Sequence, residues 1–258
     1  MSALKILVNG EAGAGKTELL RTLPKTTFVV SRDSKEFSIP LPHMMVDKYY
    51  SMSLLLYGGN ITVDNEKIYV PGVIDKTNLY FEKTGAYPET VVFDSVSQLA
   101  MDVIDSASAV PDSYGSRGAF ITSEMAVLTK FIHEELELNG VNVILLNHVI
   151  ADKEDGKFNG KYIQFGQGKF VAKGGFYSTV NESITLVPEG SYIAVYTRGM
   201  NKQARTTITE LPTKLYLENT VEPDKSKKLK DGEYYFTLGE HLANLLARQQ
   251  NVATEFRF

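Results

Sequence analysis

A glycine-rich segment near the beginning constrains this chain more than any other stretch. Leu4-Lys5-Ile6-Leu7-Val8-Asn9 is a short apolar run, and Gly10-Glu11-Ala12-Gly13-Ala14-Gly15-Lys16-Thr17 follows it directly. Glu18-Leu19-Leu20-Arg21-Thr22-Leu23 then reads as helix until Pro24 stops it. Strand, G-x-x-x-x-G-K-T, helix is the setting in which this pattern binds phosphate. Glycines let the backbone wrap closely, so that its N–H groups point at a β-phosphate, and the start of the helix adds to the field. Gly10 through Glu18 are therefore the candidate nucleotide-binding residues. Lys16 is placed to reach the β- and γ-phosphates and the Thr17 hydroxyl to ligate Mg²⁺, which makes ATP and Mg²⁺ the expected cofactors. The competing reading is a Gly-rich strand-to-helix turn without a ligand.

Composition narrows the rest. The 258 residues are 43% apolar, enough for a sizeable core in one domain with a small appendage. Cysteine is absent, which removes disulfides and thiolate metal sites, and His43, His133, His148 and His241 show no metal-ligand spacing. The start Met1-Ser2-Ala3-Leu4-Lys5 leads straight into the loop, so neither a signal peptide nor a preceding domain is expected. With no apolar run of spanning length, the expectation is a cytoplasmic protein without a membrane partner. A net charge of −4 argues against wholesale coating by nucleic acid and leaves room for a local basic site.

Further along, Thr26-Thr27-Phe28-Val29-Val30 reads as a second strand that ends in Ser31-Arg32-Asp33-Ser34-Lys35-Glu36. Residues 37–89 look like an insertion. In it, Met44-Met45-Val46 reads as strand, Tyr50 to Leu56 and Asn78 to Thr84 as helices, and 61–70 as a hairpin with a polar turn. Thr90-Val91-Val92-Phe93-Asp94-Ser95 is a buried strand ending in an acid, followed by a helix over 96–107. Val110 to Phe120 reads as a loop, Ile121 to Leu138 as a helix closed by Asn139-Gly140, and 141–148 as another buried strand. Asp152 to Gly175 shows no firm element, after which residues 182–217 alternate as strands. Pro223 to Asp231 is a charged connector, and a short run at 234–237 and a helix over 240–250 follow. Strands alternating with helices and then antiparallel strands predict α/β, with a mainly parallel sheet and helices on both faces. The predicted division is a core over 1–220 and a strand-and-helix appendage over 221–258, with active groups at the carboxyl ends of the parallel strands.

Asp94 occupies the Walker B position, where a carboxylate holds Mg²⁺ beside Thr17; capping of the next helix is the alternative. Hydrolysis also needs a group that orients and deprotonates water. Ser95 stands where many such enzymes carry Glu, so the candidates are Asp33, nearer the strand end and preferred, and Glu36.

Walker A, a strand-tip acid, Val-Val-Phe-Asp-Ser-Val, a Gly/Ser/Arg loop, a helix and Val-Ile-Leu-Leu-Asn-His together resemble the RecA-type recombinase ATPase core over about residues 4–210. Asp94-Ser95-Val96 and Asn147-His148 carry most of the likeness. In that family the last strand tip usually carries Asn-Gln, whose Gln senses the γ-phosphate. His148 stands in its place, and a neutral imidazole can still donate a hydrogen bond to phosphate. A satisfied strand-end histidine is the alternative. The short chain and the insertion resemble the compact RecA-like nucleotide-binding proteins of bacteriophages, some of which are single-strand annealing proteins.

That resemblance implies single-stranded DNA as a partner, a homo-oligomer as filament or ring, and a single-strand DNA-binding protein as a further partner. It implies two DNA-binding loops, at 111–120 with Arg117 and at 152–175 with Lys161, Tyr162, Phe165, Lys169, Phe170 and Lys173. Lysines interleaved with aromatics suit phosphate contacts and base stacking, although an exposed hairpin would look the same. It further implies that Arg198, Lys202 and Arg205 serve a neighbouring subunit's γ-phosphate, with a solvated basic turn as the alternative. The expected function is a Mg²⁺-dependent ATPase that assembles on single-stranded DNA for annealing or recombination. A ring-forming helicase core or loader, a nucleotide kinase and a regulatory ATP switch that ignores DNA are the rivals.

Overall fold

The apolar runs read from the sequence become the middle of one twisted sheet. In the computed structural model, residues 3–32, 39–111, 115–154, 157–164, 175–190, 192–199, 203–217 and 235–255 are described, with the backbone alone at 151–154, 157–164 and 251–255. Strands β1 (Lys5–Gly10), β2 (Thr27–Ser31) and β6 (Thr90–Asp94) are buried almost throughout, as parallel strands covered on both faces must be. β7 (Asn142–Glu154) joins them, and β3 (His43–Met45) lies outside β2. On the other side of β1 come β9 (Glu182–Glu189), β10 (Tyr192–Tyr196), β11 (Lys214–Leu217) and β12 (Tyr235–Phe236).

Among the described residues the sheet order is β12-β11-β10-β9-β1-β7-β6-β2-β3. From β9 to β3 every neighbouring pair is parallel, whereas β10 runs antiparallel to both β9 and β11. The fold class is thus α/β with a mostly parallel sheet and late antiparallel strands.

Two hydrophobic clusters sandwich the sheet. One face packs Leu7, Phe93, Val143 and Leu145 against α3 (Val96–Ala107) and α4 (Ser116–Phe131), with Met52, Leu55 and Leu56 of α1 (Met52–Tyr57) joining them. Residues within 37–89 therefore contribute to the main core. The other face packs Ile6, Val8, Val92 and Ile144 against Leu19, Leu20 and Leu23, and against Leu238, Leu242 and Leu245 of α5 (Leu238–Glu255). β12 and α5 thus extend the same sheet and the same core. No helix among the described residues is long and apolar enough to cross a membrane.

Several elements differ from the sequence reading. After the glycine-rich loop there is a short 3-10 turn, Glu18–Thr22, rather than an α-helix. Leu23 is extended at φ −77° and ψ 151°, as expected of a residue before proline, and this leaves too few positions for α-helical turns. α2 (Val73–Thr84) starts five residues before Asn78, at an N-terminus closed by Asp75 accepting from the Gly72 N–H at 2.8 Å. α4 begins at Ser116, so Arg117 sits in its first turn rather than in a loop. The turn is closed by the Ala119 N–H donating to Gly115 O at 2.9 Å, with Gly115 as the cap at φ 79°.

The segment read as structureless after Asp152 contains the end of β7 and all of β8 (Lys157–Gln164), paired antiparallel with Glu154 opposite Lys157. The hairpin expected at 61–70 is β4 (Gly59–Val63) and β5 (Glu66–Val70), turned by Asp64 and Asn65, both at positive φ.

Candidate functional site

Parallel order places the ends of β1 and β6 level with the middle of β7 at one edge of the sheet; the strand expected to end at His148 continues to Glu154, because β8 pairs with its second half. Gly10 is level with His148 across the β1–β7 pair, and Asp94 with Leu146 across the β6–β7 pair. The glycine-rich loop leaves β1 at this edge. Gly13 and Gly15 both adopt φ near 77°, a region that other residues enter at a cost. A Cβ on Gly15 would also lie 3.1 Å from Ile193 Cδ1 and 3.3 Å from Leu217 Cδ2, close contacts that those side-chain ends would have to yield to. Ala14 is fully buried and pins the middle of the loop to the core.

Four of the singled-out side chains meet here. Lys16, only 5% exposed, donates to the carbonyls of Gly10 and Glu11, each at 2.8 Å, and its Nζ lies 3.2 Å from His148 Nδ1. An ammonium offers donors only, so Nδ1 must be the acceptor and Nε2 carries the ring proton. Thr17 Oγ1 donates to Asp94 Oδ2 at 3.0 Å, and Asp94 is 4% exposed. The hydroxyl proton points at the carboxylate, which leaves the oxygen's lone pairs for a cation. A buried carboxylate beside a hydroxyl is a hard-oxygen donor set that fits Mg²⁺ completed by phosphate oxygens and water. Thr17 and Asp94 are the residues that would hold it. Among the described residues no group of three or more His, Asp or Glu could form a metal cage alone.

Other candidates fall elsewhere. Asp33, Glu36, Lys202, Phe165, Lys169, Phe170 and Lys173 lie outside the described residues. Lys161 and Tyr162 are on β8, which pairs with β7 beyond the carboxyl end of β1. Arg117 is exposed on α4, and its Nε donates to Val110 O at 3.3 Å. Glu18 pairs with Arg21 at 2.5 Å. Arg198 donates to the carbonyls of Ile208 and Thr209, and Arg205 to those of Tyr177 and Val180. Arg205 bridges Ser183, which is level with Leu7, so Arg205 sits below the carboxyl edge of its own chain.

The structure adds residues that the sequence reading passed over. Arg32, next to Asp33, forms a two-pronged ion pair with Asp102 of α3 at 2.6 and 3.1 Å, and its N–H donates to Asp94 O at 2.6 Å. These bonds fix the tip of β2 against the Asp94 strand. Asn9, Ser97, Asn147 and Ser183 form a buried polar row beside the loop. The sequence signal for the row was a polar residue closing each of two buried apolar runs, Asn9 and Asn147.

No protein-family model matches this chain, and no curated protein matches it significantly. Its reading therefore rests on the site itself.

Proposed function

We propose that this chain is an ATP-binding, Mg²⁺-dependent P-loop ATPase of RecA-like type that assembles on single-stranded DNA and promotes annealing or recombination, in the manner of the compact bacteriophage proteins it resembles. The observation that carries the reading is the meeting of Lys16 and Thr17 of the loop after β1 with Asp94 of β6 and His148 of β7 at one edge of a parallel sheet. Each has a distinct task in phosphoryl transfer. Loop N–H groups and Lys16 bind the phosphates. Thr17 and Asp94 hold the cation, which neutralises charge on the β- and γ-oxygens. His148 Nε2–H donates to the γ-phosphate and so reports its presence. Asp33, or else Glu36, both of which follow β2 in the sequence, takes the proton of the attacking water.

The order of motifs along the sheet supports the RecA-like form of the reading. A strand-tip acid follows β2, Asp94-Ser95-Val96 closes β6, and Asn147-His148 closes the part of β7 that lies in the parallel sheet. The DNA contacts are assigned to Arg117 and to the β8 hairpin with its following residues, and Arg198, Lys202 and Arg205 to the neighbouring subunit's nucleotide.

The test is binding of labelled single-stranded DNA across a salt series, with and without Mg-ATP. The expected result is ATP-dependent binding whose log affinity falls by about 0.7 per phosphate contact per log unit of salt. Replacing Lys161, Lys169 and Lys173 together by Ala should flatten that slope by roughly two units. ATP binding with no response to DNA would leave a regulatory ATP switch as the better account. Failure of Lys16→Ala to reduce ATP binding or turnover would remove the foundation.

A further inference from the structure

A run of hydrogen bonds crosses the sheet beside the phosphate loop, and every link points the same way. The His148 backbone N–H donates to Ser97 Oγ, and Ser97 Oγ donates to Asn147 Oδ1 at 3.0 Å. Asn147 Nδ2 donates to Asn9 Oδ1 at 2.8 Å. Asn9 Nδ2 then donates to Ser183 Oγ at 3.1 Å and to Gln203 O at 3.3 Å, and Ser183 Oγ donates to the same carbonyl. Ser97, Asn147, Asn9 and Ser183 are each no more than 2% exposed.

The orientation of both amides follows from this pattern. Turned over, Asn9 would aim its oxygen at the Gln203 carbonyl and its NH₂ at the NH₂ of Asn147. Two buried groups would lose their partners at once, which is the costly way to break a hydrogen bond. Head-to-tail bonds in a low-dielectric interior also polarise one another, so the row behaves as a unit.

Its two ends are what give the row a use. One end is His148, whose ring faces the phosphate-loop lysine. The other is Gln203, two residues from Arg205 and joined to β9 through the Ser183–Arg205 bridge. Apolar residues at positions 9, 147 and 183 would fill the core without needing partners; the polar row instead ties a site at the strand tips to a basic segment below them.

We propose that Asn9 is a positioning residue that couples the phosphate site to the 203–205 segment, so that nucleotide binding at His148 is transmitted to the backbone carrying Arg205. The inference rests on the nucleotide-binding reading above. Asn9 itself touches neither phosphate nor metal in this account, because its side chain is spent on Asn147, Ser183 and Gln203.

The test is hydrogen exchange in peptides covering 203–207, with and without a non-hydrolysable Mg-ATP analogue, while a fluorescent ATP analogue reports binding in parallel. The wild type should show exchange altered by about fivefold or more on binding. Asn9→Leu, which cuts the row at its centre, should still bind the analogue and lose the response at 203–207. Ser183→Ala removes the last hydroxyl with little change in volume and should reduce the response; it decides the matter if Asn9→Leu does not fold. Analogue binding by the wild type with unchanged exchange at 203–207 overturns the coupling alone, as does a full response in both variants. Failure of the wild type to bind the analogue overturns the nucleotide reading and the coupling with it.

Discussion

Lys16 Nζ lies 3.2 Å from His148 Nδ1, and this single contact fixes which ring nitrogen carries the proton. An imidazole with its N–H at Nε2 can donate to an incoming phosphate, whereas the opposite tautomer would set a donor against the ammonium. Function should therefore follow the presence of a donor at this position rather than the ring. His148→Gln retains an amide N–H and is expected to keep ATP turnover within about tenfold of wild type. His148→Ala is expected to lower turnover by about 100-fold or more, the scale of losing one positioned donor to developing charge. Steady-state ATPase assays on the two variants check this; equal loss in both would show that the imidazole does something an amide cannot.

Asp94 accepts the Thr17 hydroxyl proton at 3.0 Å, and the two side chains should fail together. Asp94→Asn keeps size and shape but replaces the carboxylate by a poorer partner for Mg²⁺. Nucleotide binding without metal should survive, while Mg²⁺-dependent hydrolysis is lost. Titrating Mg²⁺ against bound fluorescent nucleotide distinguishes this from simple misfolding. A wild-type metal response in Asp94→Asn would exclude the residue from the metal site.

Legibility in the sequence tracked contiguity. Strands β1, β6 and the first half of β7 were plain because parallel, doubly covered strands are continuous apolar runs, and the edge where Lys16, Thr17, Asp94 and His148 gather followed from where those runs end. The polar row was not legible, because its links join residues 138 and 174 positions apart, and an isolated Asn after an apolar run looks like any other. The early start of α2 was hidden by Pro71-Gly72, which reads as a turn until Asp75 is seen to cap it. The shortened helix after Thr17 was available in principle, since a residue before proline is pushed out of the helical region. The first turn of α4 was concealed because Gly115 and Gly118 flank Ser116-Arg117 and read as loop, whereas Gly115, at φ 79°, is the cap from which the helix starts.

Gly239 sets how closely α5 approaches the turn behind the phosphate loop. A Cβ there would lie 2.1 Å from the backbone oxygen of Thr22, and the Gly239 N–H already donates to Thr22 Oγ1 at 3.1 Å. Because the obstacle is backbone, it cannot move aside as a flexible side chain would. Gly239→Ala should therefore destabilise the protein by about 1–3 kcal/mol through overpacking, against the small gain that Ala normally brings inside a helix. Urea unfolding measures it, and a neutral or stabilised variant would mean that the α5 contact is loose.

His241 gives the protein a dependence on pH that has nothing to do with the phosphate site. The ring is 3% exposed and packs on Phe236 at 5.3 Å between centroids, and among the described residues its Nε2 has no hydrogen-bond partner. Burial disfavours the charged form and lowers its pKa from 6.5 to about 4. The folded protein thus refuses a proton that the unfolded chain accepts near pH 6.5. This contribution is complete above that value, declines as pH falls towards 4, and is exhausted below it. Between pH 7 and pH 5 the loss should be about 2 kcal/mol, reaching about 3 kcal/mol by pH 4 and below. The upper interval is the informative one, because Glu137, whose pKa is lowered by its bonds to His133 and Lys5 against the opposing effect of burial, acts only below its ordinary value of 4.5. Urea unfolding at pH 7 and pH 5 should show the drop in the wild type and a much smaller one in His241→Phe, which keeps an aromatic ring and has no proton to gain. The same drop in both proteins would assign the pH dependence to other groups.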